Sequence, residues 1–165
     1  MKKYYYKFKL SFNRKEIGSS RYSYRYMSKT QLSEDFILCD ICNQILELDN
    51  SIRFAGFANN MGKIIAARYR NKLDPLLTVD ESELSFIESV LRMSTRIDMR
   101  SKFGKPIYSS TLYEKVKRAT ILLDNKDYPI LMVSFDNDNF GTDHKSIIVN
   151  GILPLVSYFM TRICL

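Results

Sequence analysis

Histidine occurs once in this chain, cysteine three times and glycine six times, and no stretch of twenty residues is free of charge. Each scarcity removes a class of function. A serine or cysteine triad would have to use His144, yet no G-x-S-x-G elbow or comparable nucleophile context accompanies it. The six glycines are scattered and form neither GxxxxGK[ST] nor GxGxxG, so no phosphate-cradling loop is legible. Cys39, Cys42 and Cys164 are too few, and odd in number, for a disulfide scaffold, which fits a reducing compartment. The first residues are charged and aromatic, without the apolar core of a signal peptide. Residues 146–161 carry no charge but are interrupted by Asn150, Gly151 and Pro154. They are too short to span a bilayer, read instead as a buried terminal helix, and no membrane insertion is expected. A cytoplasmic, non-catalytic protein without cofactor or metal is the expectation.

What is present is unevenly distributed. The formal net charge of +7 sits wholly in residues 1–26, which hold eight Lys/Arg against the single acid Glu16. Residues 27–165 balance 17 bases against 17 acids. The first 26 residues also interleave eight aromatic side chains with those bases, from Tyr4 to Tyr26. They are expected to form an arm outside the fold, with one α/β domain over 27–165. Cations tracking phosphates and rings stacking on bases suit single-stranded nucleic acid, so any such binding would run through the arm. The same segment also reads as a tail with no partner, or as a stretch upstream of a true start at Met27.

Within the domain, Ser28 and Gln31 match a capping box that opens a helix over 29–48, with Leu32, Phe36, Cys39, Cys42 and Leu46 as its apolar stripe. Strands are expected at 52–58 and 63–69, joined through Asn-Asn-Met-Gly at 59–62. Thr78 and Glu81 form a second capping box, and Phe86, Val90, Met93 and Ile97 recur at helical spacing. With Gly104 and Pro106 as stops, this predicts a helix over 79–103. Strands follow at 107–112, 115–123 and 129–135. Residues 130–133 (Ile-Leu-Met-Val) are apolar on both faces, so both must be covered. Thr142 or Asp143 caps a last helix, which Pro154 should kink or break, giving pieces at about 143–151 and 154–163. The order α-β-β-α-β-β-β-α predicts a five-stranded, mostly antiparallel sheet with helices on both faces: 79–103 on one, 29–48 and the C-terminal helix on the other.

Several motifs invite chemistry and read more simply. The C-x-x-C of Cys39 and Cys42 lies inside a helix with no strand before it, so core packing explains it better than redox chemistry. A zinc site would need His144 and Cys164 as further ligands. Residues 136–141 match a calcium loop at positions 1, 3 and 6, but Phe140 and Ile147 stand where oxygen ligands are required, so a turn followed by a helix cap is expected. His144 reads as a surface residue. The basic residues are more suggestive. Arg92, Arg96 and Arg100 recur every fourth residue, Arg68 and Arg70 close the second strand, and Lys115, Lys117 and Arg118 lie around the fourth. These eight are the candidate site for an anionic ligand or an acidic protein partner, against a bland alternative in which Glu88 pairs with Arg92 on a solvated face.

The element order, with a helix inserted after the second strand, is similar to the roadblock and profilin-like group and more loosely to PAS-type sensor domains. SIRFAG at 51–56, Gly62-Lys63, the segment from Arg70 to Leu76-Leu77 and YEKVKR at 113–118 resemble a family of small archaeal proteins, over about residues 34–152. The resemblance implies a roadblock-like fold and a cytoplasmic setting, and assigns no activity. The expected function is a non-catalytic interaction or regulatory domain, self-associating. The alternatives are a small-molecule sensor, which needs a cavity of a few hundred Å³, and nucleic-acid binding through the arm.

Overall fold

A computed structural model describes residues 29–137 and 142–163. The expectations for the arm, for the Ser28 cap, for Cys164 and for most of the calcium-like loop lie outside these residues. Helix α1 (Lys29–Leu48) is followed by β1 (Ile52–Ala58), β2 (Ile64–Tyr69), α2 (Val79–Ile97), a single turn α3 (Arg100–Phe103), then β3 (Tyr108–Leu112), β4 (Val116–Leu122) and β5 (Ile130–Asp136). The chain then runs through α4 (His144–Ser146), a π-helical segment (Ile147–Ile152) and α5 (Leu153–Ile163). The strands form one sheet in the order β2-β1-β5-β4-β3, and every neighbouring pair is antiparallel.

Strand alternation divides this sheet between two cores. On one face Ala55, Phe57, Ala119, Ile121, Leu131 and Val133 pack with α1 and the C-terminal helix through Ile41, Cys42, Ile45, Ile148 and Ile152. On the other, Phe54, Ala58, Ile130 and Met132 receive Phe86 and Met93 of α2, with Val90 and Ile97 alongside. Central β5 is therefore buried on both sides, as its unbroken apolar run requires. The β1–β2 turn is built as its residues dictate. Asn59 Oδ1 accepts from the Met61 and Lys63 amides, each at 3.0 Å, and Gly62 takes φ 81°. At the far end of these strands, Asp136 joins Arg53 and Arg70, the latter at 2.8 Å, clamping β2, β1 and β5 together.

Three expectations need correction, and one is met. Phe36 is 63% exposed, and the buried stripe of α1 is Leu38, Ile41, Cys42 and Ile45 with Cys39. Helix 79–103 is interrupted at Asp98 and Met99: the Met99 amide turns back to the Arg96 carbonyl at 3.2 Å, and α3 adds one turn with no buried residue to hold it in line. The joint expected at Pro154 is present: the π-helical segment ends at Ile152 and α5 begins at Leu153, with Pro154 second in it. His144 is buried rather than superficial, at 8% exposure, with its ring 4.8 Å from that of Phe135.

The Asp136 clamp gives a pH-dependent prediction. Burial disfavours its carboxylate, but hydrogen bonds from Arg53 and Arg70 outweigh this and hold its pKa below the usual value. A depressed folded pKa stabilises the fold above the unfolded value of about 4, and that stabilisation is lost as pH falls through the folded pKa. Asp136→Asn is expected to cost about 1–2 kcal/mol at neutral pH, discounted for partial exposure. Urea unfolding should show the gap to the unaltered protein closing below about pH 4.

Candidate functional site

Helix α2 crosses the sheet so that its apolar seam covers β1 and β5, while its other flank hangs over β4 and β3. That second contact is polar by construction. Residues three or four apart share a helix flank, which aligns Ser85, Ser89, Arg92 and Arg96. In β4, alternation sends Ala119 and Ile121 into the α1 core and turns Arg118 and Thr120 toward α2. In β3, Thr111 pairs with Arg118 and Ser109 with Thr120, adding two hydroxyls to the same face. The result is a cleft of about 30 Å³ lined by Arg92, Arg96 and Arg118 with Ser89, Ser109, Thr111, Tyr113 and Thr120.

Arg118 is the half-buried member. Its guanidinium donates to Ser85 Oγ and lies against Met132 Sδ. Burial draws its pKa down from the ordinary arginine value; Tyr113 opposes that shift, and Arg92 adds to it. Arg96 donates to the Arg92 carbonyl at 2.8 Å, and Arg92 reaches Glu88 at 3.5 Å, the expected exposed i, i+4 pair. Among the described residues, no carboxylate lies within 4 Å of Arg96 or Arg118.

Beside the cleft, sharing Tyr113 and Arg118 with it, runs a mainly apolar groove of about 570 Å³. Its walls are the 73–77 loop, the first half of α2 and the 113–116 connection, over Phe54 and Tyr69 of the sheet. The capping box fixes the α2 end: the Thr78 amide donates to Glu81 Oε2 at 2.8 Å, and Glu81 N returns to Thr78 Oγ1 at 3.3 Å. The bond from the Thr78 backbone holds the Glu81 pKa below its usual value.

The eight basic candidates therefore do not converge. Arg92, Arg96 and Arg118 meet in the cleft, and Lys115 lines the groove. Arg100 stands on the exposed turn α3, beyond the break in the helix. Arg70 is committed to Asp136 and to the Asn50 carbonyl. Arg68 donates to the Ala67 carbonyl at 2.8 Å and neighbours Cys39, which places it on the α1 side. Lys117 stands opposite Leu112 and Phe135, one residue out of phase with Arg118. The hydroxyls of the cleft and the groove residues Leu73, Leu77 and Tyr113 were not among the sequence candidates. The period-two pattern of residues 117–121, Lys-Arg-Ala-Thr-Ile, was the available signal, because it separates Arg118 and Thr120 from Ala119 and Ile121. Cys39 and Cys42 are both buried, and burial raises both thiol pKa values, which disfavours the thiolate form.

No protein-family model and no curated protein matches the sequence. Solved structures do match the fold. A roadblock/LC7 domain from Streptomyces avermitilis superposes with a TM-score of 0.59 at 11% identity, covering 78% of this chain and 98% of that one. Myxococcus xanthus MglB gives 0.59 at 9% identity, covering 86% and 96%. An MglB in a tetrameric arrangement gives 0.61 at 9% identity, covering 83% and 92%. None of the helices among the described residues is long and apolar enough to cross a membrane. The fold of this chain is that of roadblock/LC7 domains, as its element order implied.

Proposed function

We propose that this chain is a non-catalytic interaction domain that self-associates through α2 and the open edge of β3. The carrying observation is where apolar surface is left uncovered. Leu84, Ile87 and Leu91 recur at helical spacing on the outer side of α2, and Leu91 is 63% exposed. Phe103 at 82% and Leu112 at 67% continue the exposure along the chain toward and into β3. Large exposed apolar side chains so concentrated mark an association surface more often than bare solvent contact. Strand β3 adds directionality. It ends the sheet, and its sequence, Tyr-Ser-Ser-Thr-Leu, contains none of the charges or prolines that guard an edge against pairing. The likeness to an MglB in a tetrameric arrangement supports assembly as the use of such a surface.

Sedimentation velocity over a range of concentrations tests the proposal. The expected result is a reversible monomer–dimer equilibrium. Leu91→Glu and Leu112→Glu should each weaken it by at least about tenfold, equivalent to about 1.4 kcal/mol, while leaving the circular dichroism spectrum unchanged. A monomer at every concentration, or a dimer indifferent to both substitutions, would overturn the proposal.

A further inference from the structure

The cleft and the groove together hold a feature of which the proposed self-association uses only Leu84. An apolar trough of about 570 Å³ ends against a half-buried arginine, and two further arginines stand within the adjoining cleft. That volume falls within the range of sites for small organic molecules, about 300–1,000 Å³. Leu73, Leu77, Phe86 and Val116 supply apolar contact in the trough, and Tyr69 and Tyr113 add rings with polar tips. At the arginine end the electrostatics are unbalanced. Arg118 has a neutral serine and a thioether as its near partners, Arg92 and Glu88 act on it with opposite sign, Glu88 is itself paired with Arg92, and no described carboxylate lies within ion-pairing distance of Arg118 or Arg96. A half-buried cation facing other cations is stabilised when an anion joins it.

We infer that this groove binds a small organic monocarboxylate, its apolar body in the trough and its carboxylate on Arg118, with Arg92 and Arg96 completing the charge. The single charge follows from the acids nearby. Glu81, Glu88 and Glu114 also line the groove, with Glu88 paired to Arg92, so a polyphosphate or dicarboxylate would meet more repulsion from these carboxylates than a single head group on Arg118. An uncharged apolar molecule would fill the same trough but leave the arginines unmatched. Head-group recognition and body packing are therefore separable, and each has its own residues.

Calorimetric titration of the full chain with decanoate, decan-1-ol and decyltrimethylammonium reads both parts. Saturable one-to-one binding of decanoate is expected, at least about tenfold tighter than decan-1-ol, or about 1.4 kcal/mol, with the quaternary ammonium weaker still. The double variant Arg92→Gln/Arg96→Gln changes exposed positions of α2 and should preserve folding. It should remove most of the decanoate preference and leave decan-1-ol binding unchanged. Leu73→Asp should weaken both. Decanoate that fails to saturate, that binds no better than decan-1-ol, or that keeps its full preference in the double variant would overturn the inference. So would an unaltered decanoate affinity in Leu73→Asp, because the body would then lie elsewhere.

Discussion

Replacing Gly62 by alanine is expected to lower the unfolding free energy by about 2–4 kcal/mol. Gly62 closes the β1–β2 turn at φ 81°, a conformation that costs alanine about 1 kcal/mol by itself. The larger part comes from α2. A β-carbon at Gly62 would lie 2.5 Å from the Cα of Ile87 and 2.6 Å from its amide nitrogen. Those are backbone atoms of a capped helix, so no rotamer change relieves the overlap; the turn or the helix must move. Moving α2 loosens the seam of Phe86 and Met93, and with it the walls of the groove. Urea denaturation of the variant measures the effect, and a loss below about 0.5 kcal/mol would show that the turn does not abut the helix.

Phe86→Ala is expected to cost about 3–5 kcal/mol, and Leu84→Ala on the same helix less than about 0.5 kcal/mol for the monomer. Phe86 is fully buried at the centre of the α2-side core, edge-on to Phe54 with ring centroids 6.2 Å apart. Removing its ring leaves a cavity between two elements that cannot collapse, because β1 is fixed by neighbours on both sides. Leu84 points to the opposite side of α2 and is more than half exposed. The same pair separates folding from association: Leu84→Ala should weaken the dimer while sparing the monomer. Equal losses of stability for the two variants would mean that α2 is not seated on the sheet by the face described.

The elements most legible in the sequence were those whose signals are local and redundant. The α2 segment carries a capping box and a seam at 4, 3, 4 spacing, and the structure reproduces both. The β1–β2 turn is likewise written in Asn59 and Gly62. Where signals were ambiguous, the reading slipped. Helix α1 is apolar around much of its circumference from Phe36 to Leu46, so periodicity alone left its phase open, and only packing on β1 and β2 selects Leu38, Ile41 and Ile45. The last helix does divide beside Pro154, but the π geometry of the segment before it has no local signal in the sequence. His144 gives no local sign of burial, because its neighbours Lys145 and Ser146 are polar and its partner Phe135 comes from another element.

The candidate site shows the same division. The four-residue spacing of Arg92 and Arg96 was plain, but their convergence with Arg118 depends on which strand α2 overlies. That placement is a tertiary contact of α2 with β4, which no local pattern in the sequence encodes. Charge spacing also overstated the set, since Arg68 lies beside Cys39 on the α1 side, Arg70 is committed to Asp136, and Arg100 follows the interruption at Asp98 and Met99.

Amide hydrogen exchange along β3, measured at low and at high protein concentration, tests the proposed self-association most directly. The Tyr113 amide bonds to the Val116 carbonyl, and the Leu122 amide to the Ile107 carbonyl. Strand alternation then turns the amides of Tyr108, Ser110 and Leu112 away from β4. These three are expected to exchange fast in dilute solution and to gain protection as concentration rises, together with Leu84 and Leu91 side-chain contacts seen by nuclear Overhauser effects. Exchange at Tyr108, Ser110 and Leu112 that stays fast and independent of concentration would contradict the account.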